Sequence, residues 1–122
     1  MILNIPSDMF LLFMIRMDEQ MIDSILSDEE TYMNMSREEF SKFISRSFSY
    51  HKLLCGDTSL LALQGTYKNG REQGYSFIGN HSRQRLDIII AVNNKNEITH
   101  ISSSPDFLFN NLDFANDIIP EN

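Results

Sequence analysis

Charged and aromatic side chains alternate through the middle of the chain in a pattern that could hold a ligand. In an extended strand every second side chain points to the same face. Arg83, Arg85 and Asp87 therefore share one face, and Tyr75 and His81 have the same parity if no bulge intervenes. The planar guanidinium group suits a ligand carboxylate, so the two arginines, with Tyr75 and His81, are candidate ligand-binding residues. The alternative is an Arg–Asp ion pair on a solvated sheet face.

His100 is a candidate proton acceptor near the end of the predicted sheet. Neighbouring strand residues point to opposite faces, so either His100 or Ile101 must face the helices. Facing inward, His100 could act as a general base or contact a ligand, and the alternative is a hydrogen-bonded structural histidine. The three histidines are scattered and Cys55 is the single cysteine. This spacing predicts neither a metal site nor a cofactor.

Two amphipathic helices are predicted ahead of these residues. Apolar side chains at three- and four-residue spacing predict one long helix over residues 8–26. Ser36 and Glu39 have the spacing of a capping box, and Met35 and Phe40 can pack across it. This signature predicts a second helix over residues 37–47.

Beyond residue 49 the pattern changes to segments rich in aromatic and β-branched residues, separated by turn residues. Strands are predicted over residues 50–55, 59–67, 74–92 and 97–103, the third divided by a bend near Gly79. The Asn69-Gly70 pair favours a tight hairpin. The sequence thus predicts an α+β fold, with N-terminal helices packed on a strongly curved antiparallel sheet.

Composition limits the class of protein and of partner. A chain of 122 residues, 42% of them hydrophobic, suits a single domain, predicted over residues 1–104. Residues 105–122 are predicted to be a C-terminal arm or short helix that packs on the domain or on a partner subunit. The net charge of −7 argues against nucleic acid and anionic membranes as partners. The apolar run over residues 9–15 is too short to span a membrane, and a cytoplasmic protein is expected.

Four short segments carry a resemblance to a known superfamily. They are MDEQMIDSILSDE at residues 17–29, SREEF at 36–40, GDTSLL at 56–61 and NKNEITHIS at 94–102. Their order resembles the nuclear transport factor 2-like superfamily, and within it the SnoaL-like branch, over residues 8–104. The family usually places a short hairpin between the early helices and the later helix, and residues 30–35 leave little room for it. Either this hairpin is truncated or the chain departs from the family in this detail.

The resemblance implies a cone-shaped, cystatin-like α+β roll with a pocket between the long helix and the curved sheet. Members use this cavity as an enzyme site, as a ligand pocket or as plain core. The isomerases and hydratases among them use an aspartate, often with histidine or tyrosine. By this resemblance Asp87 and His100 are candidate catalytic residues, with Tyr75 as a possible proton donor.

Three hypotheses about function follow. The first is a homodimer, formed through the outer face of the sheet, that binds a small apolar or acidic molecule without a cofactor. The second is an enzyme of the isomerase, dehydratase or cyclase type that uses an aspartate or histidine base in the same pocket. The third is an inhibitor or immunity-type module whose acidic surface meets a basic protein.

Overall fold

The computed structural model describes residues 5–65, 72–102 and 113–114, and confirms an α+β fold with the helices first. The helices are α1 (Ser7–Ile15), α2 (Glu19–Ser24) and α3 (Arg37–Ser49), and a π-helical segment (Tyr50–Leu54) continues α3. The strands are β1 (Leu60–Gly65), β2 (Glu72–Gly79), β3 (Arg85–Val92), β4 (Ile98–Ser102) and β5 (Asp113–Phe114). They form one antiparallel sheet in the order β4-β3-β2-β1-β5. In the described ranges, no helix is both long enough and apolar enough to cross a bilayer.

The single long helix predicted over residues 8–26 is wrong, because the chain breaks between α1 and α2. Met17 adopts a positive φ of 52°, which ends α1. The Asp18 carboxylate then accepts a hydrogen bond from the Met21 amide at 3.2 Å and caps α2. The Lys52 ammonium group donates to the Met17 carbonyl at 2.8 Å. This contact from the π-helical segment holds the turn in place.

The capping box predicted at the start of α3 is confirmed. The Glu39 amide donates to Ser36 Oγ at 3.2 Å, and the Ser36 amide donates to Glu39 Oε1 at 3.0 Å. Two backbone N–H groups at the helix start are thereby satisfied. The same contacts lower the pKa of the Glu39 carboxyl, chiefly through the hydrogen bond from the Ser36 amide.

The strand predicted over residues 50–55 is wrong, because the helical conformation continues from α3 to Leu54. The buried face of α3, formed by Phe40, Ile44 and Phe48, continues at His51 with the same three- and four-residue spacing. His51 is buried, whereas Leu53 and Leu54 are 81% and 76% exposed. Leu53 and Leu54 therefore lie on the solvent face of a helical turn.

The inner face of the sheet packs against the helices to form the core. Its buried side chains on β2 and β3 are Tyr75, Phe77, Leu86, Ile88 and Ile90. The predicted strands over residues 59–67 and 97–103 are confirmed as β1 and β4, and the predicted 74–92 segment divides into β2 and β3. The Asn69-Gly70 turn and most of the 105–122 arm lie outside the described residues. From that arm, residues 113–114 form β5 beside β1.

Candidate functional site

Tyr75, one of the predicted ligand contacts, is a core residue. Its ring is buried on the inner face of β2, and its hydroxyl donates to Gln73 Oε1 at 3.0 Å. Burial, together with the negative charge of Asp8, raises the pKa of Tyr75 to about 12. The phenol therefore stays protonated at neutral pH.

Arg85 and Asp87 lie on the opposite face of the sheet from Tyr75, paired on β3 at 3.4 Å. Ser76 on β2 lies beside them: its hydroxyl donates to Asp87 Oδ1 at 2.7 Å and accepts from Arg85 Nε at 3.0 Å. The side chains of the ion pair are 40% and 41% exposed. Exposed pairs of this kind contribute about 1 kcal/mol or less to stability. The geometry matches the surface ion pair considered as the alternative from the sequence.

The remaining candidates lie elsewhere. His81 and Arg83 belong to the loop between β2 and β3, where Arg83 has a positive φ of 59°. His100 is exposed opposite Ala91, while its neighbour Ile101 is fully buried. The predicted set is thus divided between two sheet faces and a loop. Tyr75 does not face the same side of the sheet as Asp87 and His100, because side chains alternate along each strand.

A different group of polar side chains meets at the end of the π-helical segment: His51, Asp57 and Ser82, here called the His51 cluster. His51 Nδ1 lies 3.1 Å from Asp57 Oδ2 and 2.8 Å from Ser82 Oγ. His51 and Asp57 are both buried. The cluster joins the helix end, the loop before β1 and the β2–β3 loop.

Asp57 is the centre of the His51 cluster. Its Oδ1 accepts a hydrogen bond from the His81 amide at 2.6 Å, and its own amide donates to the His51 carbonyl at 2.8 Å. Burial by itself raises the pKa of Asp57. The hydrogen bonds from the His81 amide, the His51 ring and Ser82 outweigh burial and lower the pKa from 3.8 to about 2. The carboxylate is therefore ionised at neutral pH.

Gly79, the last residue of β2, approaches the His51 cluster closely. A Cβ at this position would collide with Ser82 Oγ, Asp57 Oδ2 and His51 Nδ1. The bend predicted near Gly79 thus coincides with a position where only a hydrogen atom fits between the strand and the polar cluster.

The ionised Asp57 fixes the tautomer of His51. Because the ionised Asp57 Oδ2 is an acceptor only, Nδ1 of His51 carries the proton that lies between them. Both hydrogen bonds of the ring use Nδ1. No buried side-chain nitrogen or oxygen in the described ranges lacks a hydrogen-bond partner.

The His51 ring lines an open cleft of about 320 Å³, here called the His51 cleft. The cleft lies between α3 and the start of β3 and is lined by Phe43, Arg46, Ser47, Tyr50, His51, Gln84, Arg85 and Leu86. Arg46 is exposed and forms no ion pair with any described residue. The cleft thus combines aromatic side chains with two guanidinium groups and an imidazole.

Two other clefts open on the surface. A groove of about 350 Å³ adjoins the His51 cleft through Arg46 and Tyr50, and Leu53 and Leu54 line it. The second, of about 340 Å³, lies at the turn between α1 and α2. None of these three clefts lies between α1 and the sheet, where the sequence placed the pocket. The described residues form no His, Cys, Asp or Glu group that could hold a metal ion.

Comparisons with protein-family models, with curated proteins and with solved structures find no match for this chain. The sequence carried one signal for the position of His51. The three- and four-residue spacing of buried side chains in α3 continues to this residue. The partners Asp57 and Ser82 carried no local signal.

Proposed function

We propose that this protein binds a small acidic molecule with an apolar body in the His51 cleft. One observation supports the proposal. Arg46 and Arg85 line the same cleft as the His51 ring, and so do Phe43 and Tyr50. Guanidinium groups bind carboxylates and phosphates, and aromatic walls accept an apolar group. In this proposal the ligand binds between α3 and β3, whereas the resemblance implied a pocket between the first helix and the sheet.

The acidic net charge of the chain does not prevent such binding. Exposed charges farther away than about 10 Å are largely screened at 0.1 M salt, so the groups lining the cleft dominate. Arg85 is already paired with Asp87, which offsets part of its charge. Arg46 is exposed and has no such neighbour among the described acidic side chains. We therefore assign the main attraction for an anion to Arg46.

Replacing Arg46 with glutamine should weaken the binding of benzoate about tenfold, because one charge-assisted hydrogen bond is lost. Benzoate serves as the probe because it has one carboxylate and one aromatic ring. Affinity is measured by following backbone amide shifts of the labelled protein in NMR titrations. In the wild type the shifts should be largest around His51, Gln84 and Leu86.

Lys42→Gln is the matched control for Arg46→Gln. Lys42 lies on the same helix, is paired with Glu38 at 3.1 Å and does not line the cleft. Its replacement removes the same charge and should leave benzoate affinity within about twofold. Equal losses in the two variants would mean that only net charge matters. Benzoate shifts centred away from the cleft would refute the proposed site.

We also infer membership of the SnoaL-like branch of the nuclear transport factor 2-like superfamily, with a cone-shaped sheet. The order of helices and strands supports this inference. A second support is the pairing of Tyr32 with Met35 across Met33 and Asn34, which both have positive φ. This two-residue turn lies within residues 30–35, where the resemblance leaves room for a truncated hairpin only. A match of an experimental structure to folds outside the superfamily would refute the assignment.

The homodimer expected from the resemblance would form through the outer face of the sheet. Leu61 and Ile78 are cross-strand neighbours on that face and are only half-buried. Apolar side chains at such positions favour association with a second sheet. Light scattering at two concentrations should give twice the 14.2 kDa mass of the chain. A monomer at both concentrations would exclude the dimer.

A further inference from the structure

We propose that the acidic ligand of this protein is a free fatty acid anion, whose aliphatic chain lies in the groove beside the His51 cleft. This groove of about 350 Å³, here called the Leu53 groove, is lined by Ser45, Arg46, Ser49, Tyr50, Leu53 and Leu54. The inference rests on the proposed function, since the carboxylate is held by the same Arg46. It adds the chemical class of the ligand and a second part of the site.

The Leu53 groove adjoins the His51 cleft at two side chains. Arg46 and Tyr50 line both of them. A carboxylate bound to the Arg46 guanidinium group therefore lies where the two meet. An aliphatic chain attached to that carboxylate can follow the Tyr50 ring into the groove.

The groove follows one side of a continuous helical segment. Arg46, Tyr50, Leu53 and Leu54 have the spacing i, i+4, i+7 and i+8 along α3 and the π-helical segment, so they line the same groove. At a rise of about 1.5 Å per residue, this stripe is roughly 12 Å long. With carbon–carbon bonds of about 1.5 Å, roughly ten carbons in an extended chain cover that length.

The far end of the stripe has apolar surface to cover. Leu53 and Leu54, exposed by 81% and 76%, are the most exposed large apolar side chains in the described ranges. Tyr50 beside them is 39% exposed. Single exposed apolar residues are common, but adjacent ones that line a groove indicate a binding surface. Covering them with methylene groups removes apolar area of both partners from water.

The charge of the groove favours an anionic ligand. Among the described residues that line it, Arg46 is the only charged one, and it forms no ion pair with another described residue. Residues 40–56 contain no Asp or Glu, although the chain as a whole has a net charge of −7. A stable protein interface buries about 800 Å² on each partner, which is more than three apolar side chains can expose. A small amphiphile therefore fits the groove better than a partner protein.

The test is a series of NMR titrations with butanoate, hexanoate, octanoate and decanoate at pH 7.5, below their micelle concentrations. Each pair of added methylenes should tighten binding about fourfold, half of the free energy of full burial, because the groove is open on one side. Dodecanoate should gain little over decanoate, since the stripe ends at Leu54. Octanol, which lacks the carboxylate, should bind about tenfold more weakly than octanoate. The amide shifts of Leu53 and Leu54 should respond to octanoate much more than to benzoate.

The double variant Leu53→Gln with Leu54→Gln assigns the chain-length effect to the groove. Its loss of affinity should grow with chain length, from less than about twofold for butanoate to about tenfold for octanoate. Met21→Gln is the matched control, because Met21 is an exposed apolar side chain on α2 that lines neither cleft. It should bind octanoate like the wild type. Circular dichroism checks that both variants fold.

The outcomes separate this inference from the function on which it rests. If neither benzoate nor octanoate binds near Arg46, the proposed function fails, and the inference fails with it. If benzoate binds there but affinity does not rise with chain length, only the inference about the aliphatic chain fails. Equal losses of butanoate and octanoate affinity in the double variant would also overturn it. So would binding seen only above the micelle concentration, because the protein would then recognise a lipid surface.

Discussion

Gly79→Ala should lower the free energy of unfolding by about 3 kcal/mol, at the upper end of the cost of overpacking. The added methyl group would collide with three polar atoms of the His51 cluster, which also bind one another. Moving any of them breaks a buried hydrogen bond, so the site cannot relax cheaply. A domain of this size is stable by roughly 5–15 kcal/mol, so the loss is readily measured by urea denaturation.

Gly56→Ala is the matched comparison, since the reason for its glycine is different. Gly56 has a positive φ of 74° and nothing within 4 Å of the added Cβ. Its substitution should cost only about 1 kcal/mol, the strain of a left-handed backbone for alanine. If Gly79→Ala destabilised the protein no more than Gly56→Ala, the close packing of the His51 cluster against β2 would be incorrect.

The start of α3 could be predicted from the sequence because the interactions that fix it are local. Ser36 and Glu39 are three positions apart, and each satisfies a backbone N–H group of the other. Such contacts depend on residue type and spacing alone. The break after α1 involves a contact across the fold, from Lys52 to the Met17 carbonyl. Apolar spacing alone does not reveal that contact.

The His51 cluster could not be predicted because its members are distant in the sequence. His51 and Ser82 are 31 positions apart, and they meet only because the β2–β3 loop lies against the π-helical segment. Predicting Tyr50–Cys55 as a strand also removed His51 from the helix that positions it. Extending the spacing of buried residues in α3 from Phe48 to His51 would have placed the histidine on the buried face of the helix. It would not have identified Asp57 and Ser82 as its partners.

The faces of the strands were predicted less well than the strands themselves. Arg85 and Asp87 share a face as period two requires, but Tyr75 is on the other face because β2 and β3 are separate strands. The pairing of Ser76 with Asp87 sets this relation, and it depends on the length of the loop between the strands. In β4 an irregularity opposite Ala91 and Val92 further disturbs simple alternation.

Asp57→Asn should make the protein less stable at pH 5, and this difference from the wild type should shrink as the pH falls to 2. The folded-state pKa of Asp57 is about 2, below its ordinary value of 3.8. A group whose pKa is depressed by folding stabilises the protein above its unfolded-state pKa, and the contribution is lost as pH falls toward the folded-state pKa. The window is therefore about pH 4 to pH 2.

The difference between the two proteins isolates Asp57 from the other carboxyl groups. Glu39 also has a lowered pKa, but it titrates equally in the wild type and in the variant and cancels in the comparison. Urea denaturation at pH 5, 4, 3 and 2.5 gives the free energy of unfolding of each, with circular dichroism at pH 5 to show that the variant folds. A difference that stayed constant from pH 5 to pH 2.5 would mean that the Asp57 carboxylate has no special affinity for its donors in the folded state. The assignment of the ring proton to Nδ1 of His51 would then lose its physical basis.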